Sequence, residues 1–302
     1  MKRIFLAITL LAATLAANAQ QKLRVTTTIQ DLASITKEVG GDKVDVTAIA
    51  RGYQDPHFVE PKPSFLSLLR NTDLLEVVGL ELEIGWLPPL LDQSRNNNIR
   101  PGQKGYLDAS QGVEILDRPT GTVTRAMGDV HPLGNPHYWL DPANAVRIAR
   151  EVRNKLVELR PADQQYFDQH LNGFIVRLNE ANKRWMTQLA PYKGAKIVTY
   201  HNSWPNFARH FGLNVVGYVE PKPGVPPSPS HSFELVNLMK QQGVKAICME
   251  PYFDQKDPQF IAAKTGAQVV VLYPSVGGAK SGTDDYFQLF DTNIANLVKA
   301  LK

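Results

Sequence analysis

Short apolar runs alternate with stretches of helical periodicity along most of the chain. A run of about four to eight apolar residues is typical of a buried strand, and apolar residues three or four positions apart are typical of a helix with one buried face. The runs predict strands at Leu23 to Ile29, Val44 to Ala50, Leu74 to Val78, Val113 to Leu116, Ala195 to Tyr200, Asn214 to Val219, Val244 to Met249 and Gln268 to Leu272. Between them, helices are predicted at Asp31 to Val39, Ser64 to Arg70, Trp204 to Phe211, His231 to Gln242, Pro258 to Thr265 and Tyr286 to Leu301.

Strands that alternate with helices indicate parallel pairing and an α/β fold. The longest helical pattern runs from Ala162 to Leu189, roughly 40 Å at the helical rise. No flexible Gly/Ser-rich linker separates the two halves of the chain. We therefore predict two α/β lobes, each a mostly parallel sheet flanked by helices, joined by one long connecting helix. The predicted limits are residues 20–161 for the N-terminal lobe, 162–190 for the connecting helix and 191–302 for the C-terminal lobe.

Another helix is predicted to begin at Asp141-Pro142, since Asp is a favoured N-cap and Pro suits the first helical position. The residues just before it, from Gly134 to Leu140, form a short loop that contains Pro136 and His137. A neutral imidazole on a stiff loop is suited to a metal site, because fixing a mobile ligand costs conformational entropy. His137 is therefore a candidate metal ligand.

The first 19 residues have the pattern of a secretory signal peptide. Met1-Lys2-Arg3 is basic, Ile4 to Ala16 is apolar, and Ala17-Asn18-Ala19 has the small-x-small pattern of a cleavage site. No cysteine lies near this site, so we predict no lipid anchor and a periplasmic location. The single cysteine, Cys248, lies in an apolar run and leaves no partner for an intrachain disulfide.

The composition is that of an ordinary globular protein, with 43% hydrophobic and 21% charged residues. The formal charge is +4, and removal of Lys2 and Arg3 would lower it to +2. With so small an excess and no basic run interleaved with aromatic residues, we predict no nucleic-acid partner. No later segment is long and apolar enough to span a membrane, so we expect a soluble, monomeric mature protein.

Ligand-type residues collect where predicted strands end. His201, Glu250 and Tyr273 each directly follow a predicted strand of the second half, while His57 and His137 lie in loops that follow predicted strands of the first half. In an open parallel sheet, ligands bind beyond the carboxyl ends of the strands. Three histidines and one oxygen donor can form a tetrahedral zinc site, and imidazole also suits copper, iron or nickel.

The other histidines are interpreted more plainly. His170 lies in the predicted long helix, His210 ends a short helix, and His231 lies at a helix start, so we interpret all three as structural or solvated. His131 precedes Pro132 close to His137. We interpret it as an exposed loop histidine, with a part in metal delivery as the alternative.

The mature chain as a whole resembles the periplasmic component A family of zinc-uptake complexes, the metal receptors of ABC importers. Several ordered stretches carry the resemblance: Asp55-Pro56-His57-Phe58-Val59-Glu60-Pro61, Asn135 to Pro142, Val198-Thr199-Tyr200-His201, Phe207-Ala208-Arg209-His210-Phe211-Gly212-Leu213, Val244 to Pro251, Lys256 and Thr265-Gly266-Ala267. The resemblance implies a divalent metal ion held between two lobes and passed to a membrane permease. It also implies that His57, His137 and His201 are metal ligands. Manganese receptors of the family tend to have a carboxylate at the place of His201, which favours zinc here.

The chain departs from the family pattern at the fourth ligand. The family often has an aspartate just after the last strand, and here that position is Tyr273. A tyrosine ligand is uncommon for zinc because the phenol must lose its proton. The fourth position therefore falls to Glu250, to Tyr273, to water or to the loop from Ser275 to Ser281. Glu250 could instead accept a proton from a ligand imidazole.

The leading hypothesis is a zinc receptor that is not an enzyme and delivers Zn²⁺ to the permease of an ABC importer. A manganese or iron receptor of the same family is the alternative within the class. A secreted zinc hydrolase with Glu250 as general base is the alternative from another class. The sequence contains no His-Glu-x-x-His helix and no nucleophile motif, which counts against a hydrolase.

Overall fold

The computed structural model describes residues 21–302 except 122, 125, 126 and 129, so the predicted signal peptide at 1–19 lies outside the described residues. Two four-stranded sheets organise the chain, with orders β2-β1-β3-β4 and β6-β5-β7-β8, and every strand pair within them is parallel. The strands are β1 Leu23–Thr27, β2 Val44–Ala48, β3 Leu74–Val77, β4 Tyr106–Asp108, β5 Lys196–Thr199, β6 Asn214–Tyr218, β7 Ala246–Met249 and β8 Gln268–Val271. The predicted fold class, two α/β lobes with parallel sheets, is confirmed.

Helices cover the two sheets and connect their strands. They are α1 Gln30–Gly40, α2 Pro63–Arg70, α3 Leu87–Ser94, α4 Pro142–Leu159, α5 Gln164–Leu189, α6 Pro205–Phe211, α7 Pro229–Gln242, α8 Lys256–Thr265 and α9 Tyr286–Leu301. Asp141 caps α4 as predicted, because its carboxylate accepts a hydrogen bond from the Ala143 backbone N–H at 2.8 Å. In the part of the chain that the structure describes, no helix is both long and apolar enough to cross a membrane.

The long helix α5 packs against α1 and α4 of the first half and against α9 of the second. Its buried face includes Phe167, Phe174 and Trp185, and it lies within the predicted connecting segment 162–190. The largest group of buried apolar residues extends from the first sheet through α5 to α9 without a break. The two lobes therefore share a hydrophobic core along α5, although the exact lobe limits stay a prediction.

Hydrogen bonds also join the lobes near the cleft. The indole Nε1–H of buried Trp139 donates to the Pro274 carbonyl at 2.8 Å, and the Tyr286 hydroxyl donates to the Trp139 carbonyl at 2.5 Å. The Ser275 hydroxyl donates to the buried carboxylate of Asp31. These groups are buried and paired, so they hold the loop after β8 firmly against the first lobe.

The predicted strand at Val113 to Leu116 is wrong. The fourth strand of the first sheet is Tyr106–Asp108, which pairs with β3, and the segment 113–116 forms no strand. Val113 and Ile115 pack against the core, and the Leu116 carbonyl accepts a single hydrogen bond from the Asn135 backbone N–H at 2.8 Å. The apolar pattern there reflects packing of an extended loop, and His137 follows this loop instead of a strand.

Candidate metal centre

Three histidines from different parts of the chain meet in the cleft. His57 lies in the loop after β2, His137 precedes the short 3₁₀ turn Tyr138–Leu140, and His201 lies just beyond β5. The ring centroids are 5.2 Å apart for His57 and His137, and 5.4 Å apart for each of these with His201. One ring nitrogen from each lies within 4.8 Å of the others, close enough to surround one metal ion. The structure thus brings together the three histidines that the sequence singled out.

Two of the rings are oriented by the same local motif. In Asp55-Pro56-His57 the Asp55 carboxylate accepts the His57 backbone N–H at 3.0 Å and lies 2.7 Å from the ring Nδ1. In Asn135-Pro136-His137 the Asn135 side-chain oxygen accepts the backbone N–H at 2.9 Å and lies 3.1 Å from Nδ1. Because both acceptors take the Nδ1 proton, each ring is held as the tautomer whose Nε2 carries the free lone pair.

His201 obtains the same orientation from a residue distant in sequence. Its Nδ1 lies 2.8 Å from Oε2 of Glu220, a buried carboxylate just beyond β6. β6 pairs with β5, so Glu220 and His201 extend from neighbouring strands at the same edge of the sheet. Sequence reasoning missed Glu220, since 19 residues separate it from its partner and only the strand pairing brings them together.

All three Nε2 atoms therefore lie on the side of the ring away from these oxygen acceptors, and that of His57 also lies 3.2 Å from Nε2 of His131. His137 Nε2 is buried and has no hydrogen-bond partner among the residues described. Ring nitrogens of ligand histidines usually donate their second N–H to a carboxylate, a carbonyl or an amide oxygen, and that is the arrangement at Asp55, Asn135 and Glu220. The arrangement matches the inner and outer shells of an imidazole-rich metal site.

Burial and neighbouring charges together shift the pKa values of these groups. Burial lowers the pKa of His137 well below 6.5, and the neighbouring histidines lower it further. Burial also acts to lower the pKa of His201, but the hydrogen bond to Glu220 and the charge of Glu250 outweigh it, so the pKa of His201 is raised. Burial acts to raise the pKa of Asp55, but its hydrogen bonds to His57 and the charges of His57 and His201 together outweigh burial, so the pKa is lowered. The pKa of His201 is therefore raised while that of its neighbour His137 is lowered.

Glu250 lies directly after β7 and is fully buried. Its Oε1 accepts a hydrogen bond from Trp204 Nε1 at 3.0 Å, and its Oε2 has no hydrogen-bond partner within the described part of the chain. Burial raises its pKa to about 7, although the nearby His201 acts in the opposite direction. Glu250 does not belong to the group of donor atoms that lie within 4.8 Å of one another. Its role as a metal ligand stays a prediction, and the proton acceptor for His201 is Glu220.

Tyr273 is fixed by the last helix. Its backbone N–H donates to the side-chain oxygen of Asn293, and its carbonyl accepts from the side-chain nitrogen of Asn293, both at 2.7 Å. The half-buried Tyr273 side chain packs against the core. A plain packing role therefore accounts for this residue.

His131 is not the exposed loop residue that we expected. It is half-buried, and its Nε2 lies 3.2 Å from Nε2 of His57, with the two ring centroids 5.2 Å apart. Burial lowers its pKa to about 3, and the nearby His57 and His201 lower it further. The apolar and proline residues around it in the sequence gave no sign of this contact, because the contact depends on how the loop folds back over His57.

The remaining histidines bond to groups outside the cluster, as their structural interpretation predicts. The contacts are His170 Nδ1 with the Glu38 carbonyl, His210 Nε2 with the Asn182 side chain and His231 Nε2 with the Tyr218 carbonyl.

Two cavities adjoin the cluster. The inner one has a volume of about 60 Å³ and is bordered by His131, His137 and His201. The outer one has a volume of about 240 Å³ and is bordered by His57, Phe58 and His131. The exposed side chain of Phe58 stands at this outer side, so the cluster opens toward solvent there.

Comparison with known proteins agrees with this architecture. The family model of the zinc-uptake complex component A, periplasmic (ZnuA), matches residues 25–300. The high-affinity zinc uptake system protein ZnuA of Bacillus subtilis is 24% identical over 280 residues, which are 91% of this chain and 86% of the relative. The manganese ABC transporter substrate-binding lipoprotein PsaA of Streptococcus anginosus is 23% identical over 292 residues, which are 94% of this chain and 91% of the relative.

A crystal structure of ZnuA superimposes with a TM-score of 0.78 at 25% sequence identity, covering 93% of this chain and all of the solved one. The relatives are named for zinc in one case and for manganese in the other, and some are lipoproteins. Since the family model spans nearly the whole chain, the resemblance inferred from its motifs is confirmed. The chain belongs to the ZnuA family, the periplasmic metal-binding components of metal ABC importers.

Proposed function

We propose that the mature protein is a zinc receptor: it binds Zn²⁺ with His57, His137 and His201 and delivers the ion to the membrane permease of an ABC importer. One observation carries the proposal, the convergence of three imidazoles whose Nδ1 atoms are all occupied by oxygen acceptors. That arrangement prepares three Nε2 lone pairs for one ion before it arrives, which reduces the entropy lost on binding.

The donor set supports zinc over manganese. Neutral imidazole suits zinc, whereas carboxylate, carbonyl and water suit manganese. Relatives of the chain are named for both metals, so the choice rests on the donors of this chain. His201 is an imidazole at the place where we expect a carboxylate in manganese receptors. Glu250, fully buried beyond β7 and with an unpaired Oε2, is the protein oxygen that we propose for the fourth coordination position.

The site favours a receptor over an enzyme. The two cavities beside the cluster are about 60 Å³ and 240 Å³, both below the about 300–1,000 Å³ of pockets for small-molecule substrates. Such spaces suit an ion and its water better than an organic substrate. We propose that the protein acts as a periplasmic monomer without a catalytic step of its own.

Metal competition tests the proposal. Zinc titrations of the mature protein, residues 20–302, are repeated in excess manganese and excess iron(II). Zinc should displace both metals, and His201→Ala should weaken zinc binding by about 100-fold or more, since even loss of an outer-shell partner costs about 10–100-fold. His170→Ala, which removes an imidazole far from the cluster, is the matched control and should bind zinc like the wild type. Tighter binding of manganese than of zinc would rule out the zinc assignment.

A further inference from the structure

The side-chain amide of Asn135 forms hydrogen bonds at both of its ends. Its oxygen accepts the His137 backbone N–H at 2.9 Å and lies 3.1 Å from the His137 ring Nδ1. Its nitrogen donates to the Asn202 backbone carbonyl at 2.8 Å and to the Asp117 carboxylate at 3.2 Å. A side-chain amide has two acceptor lone pairs and two N–H donors, so all four are used here. The four contacts also determine which end is oxygen, because the reversed amide would place its N–H groups against those of His137.

One of these bonds crosses from the first lobe to the second. Asn202 directly follows His201 beyond β5, whereas Asn135 precedes His137 by two positions on the loop before α4. Asn135 is only 5% exposed, and hydrogen bonds in such low-dielectric surroundings are stronger than in water. The side chain that orients the His137 ring therefore also holds it against the segment that carries His201.

Asp117 joins the same network from a third segment of the chain. Its Oδ2 accepts hydrogen bonds from the side-chain nitrogens of Asn135 and Asn202, at 3.2 and 3.3 Å. Its backbone φ is 53°, a left-handed value that Asp adopts more readily than most residues with a β-carbon. All three residues border the inner cavity, so the network forms part of the wall of that cavity.

The loop that carries His57 shows what is particular to Asn135. In Asp55-Pro56-His57 a carboxylate occupies the corresponding position and contacts the same two nitrogens of its histidine. A carboxylate would serve His137 at least as well, because ionised acceptors form stronger hydrogen bonds. It has no N–H, however, and could not donate to Asn202. The donor end of Asn135 therefore has a role that the orientation of His137 alone does not require.

We propose that Asn135 is a positioning residue that couples His137 to His201 across the cleft, through the donor end of its side-chain amide. The acceptor end fixes the tautomer of His137, and the donor end fixes its position relative to His201. This coupling sets the spacing of two imidazoles from different lobes before the ion arrives, which reduces the entropy lost when both bind it. The inference rests on the proposed function, because it concerns how the ligand histidines are held.

Asn135→Asp separates the two ends of the amide. The variant keeps an acceptor for His137 and loses both donors, and its added charge would by itself strengthen cation binding. The mature wild-type protein, Asn135→Asp, Asn135→Ala and the control Asn172→Asp, the same change at an exposed position on α5, are titrated with zinc. Asn135→Asp should lose about tenfold or more in affinity, the lower limit for an outer-shell partner. Asn135→Ala, which lacks both ends, should lose more, and the control should bind zinc like the wild type.

Three further measurements distinguish the coupling from other causes of a loss. In zinc-loaded Asn135→Asp, ¹⁵N NMR of labelled histidine should show His137 still protonated at Nδ1, so that its tautomer does not account for the loss. In the double variant Asn135→Asp/Asp117→Asn, which removes the repulsion between two carboxylates, zinc affinity should stay below that of the wild type. In the wild type itself, the Asn135 side-chain N–H groups should exchange with solvent more slowly than those of Asn172. This last measurement does not depend on the folding of any variant.

The outcomes separate this inference from the proposed function. Wild-type protein that does not bind zinc overturns both. Wild-type protein that binds zinc tightly, with Asn135→Asp equal to it or tighter, overturns only the coupling and leaves Asn135 as an acceptor for His137. Recovery of wild-type affinity in the double variant would also overturn the coupling, because the loss would then come from repulsion between carboxylates. Equally fast exchange of the Asn135 and Asn172 side-chain N–H groups would overturn it as well.

Discussion

Glu220 accepts the Nδ1 proton of His201 at a distance of 2.8 Å, and both groups are buried at the same edge of the second sheet. The carboxylate fixes the ring in the tautomer that presents Nε2 to the cleft, and its charge raises the pKa of His201. One residue therefore sets the orientation of a metal ligand and also its affinity for a competing proton. Fixing the tautomer favours metal binding, whereas raising the pKa of His201 favours the competing proton at low pH. Substitution of Glu220 can separate the two effects.

We expect Glu220→Ala to weaken zinc binding by about 10–100-fold, because the imidazole loses the acceptor that fixes its tautomer and orientation. Glu220→Gln should lose less, since the amide oxygen can still accept the Nδ1 proton. Isothermal titration calorimetry at pH 7.5 measures both. Glu234→Ala, which removes an exposed carboxylate on α7, is the control. Equal affinity in Glu220→Ala and wild type would contradict a positioning role.

Zinc binding should release about one proton at pH values below the pKa of His201. The pKa of His201 is raised above 6.5, so below that pKa the ring is protonated and zinc must displace the proton. Zinc affinity should therefore rise with pH through the pKa of His201 and level off above it. Calorimetry in buffers of different ionisation enthalpy counts the protons directly. Glu220→Gln, which removes the charge that raises this pKa, should shift the rise in affinity to lower pH.

Much of the site could be predicted from the sequence because local patterns encode it. Asp141-Pro142 predicts the N-terminus of α4, and the carboxylate caps that helix as expected. His57 and His201 were found because residues beyond parallel strands share one edge of a sheet. His137 was identified as a candidate ligand although the strand predicted before it is wrong. The reason is that the prediction depended on its own short loop before Asp141-Pro142.

The residues that sequence reasoning missed depend on long-range pairing. Glu220 meets His201 only through the pairing of β5 with β6, and no motif links the two positions. His131 meets His57 across 74 positions, through a loop with no periodic pattern. Strand β4 at Tyr106–Asp108 has only three residues, too few for a recognisable alternation of apolar and polar positions. Short elements and loop contacts of this kind are determined by the packed core around them.

We expect the lobes to move little when zinc binds. They share a continuous core along α5, and Trp139 joins the first lobe to Pro274 of the second through a buried hydrogen bond. Rigid-body closure would have to break these contacts, so the change should be confined to the loops that carry His57, His131 and His137. Small-angle X-ray scattering of metal-free and zinc-loaded protein should give the same radius of gyration within error. A marked compaction on adding zinc would contradict this.

The metal-free protein should lose stability as the pH rises from about 5 to 8, because of buried carboxyl groups that are not among the proposed ligands. Glu76 is fully buried, its Oε2 accepts a hydrogen bond from the Thr36 hydroxyl at 2.6 Å, and burial raises its pKa to about 8. Burial likewise raises the pKa values of Asp31 and Glu83 to about 7. Between the unfolded and folded pKa values the folded state binds the extra proton, so the free energy of unfolding falls as pH rises.

Glu76→Gln isolates one of these groups. The amide keeps an acceptor for Thr36 but does not ionise, so the variant should lose one proton's share of the pH dependence, at most about 1.4 kcal/mol per pH unit. Urea unfolding at pH 5, 6, 7 and 8 measures the slope for both proteins. The variant should gain stability relative to wild type as the pH rises toward 8. Parallel curves over the whole range would show that Glu76 keeps the same charge in the folded and unfolded states.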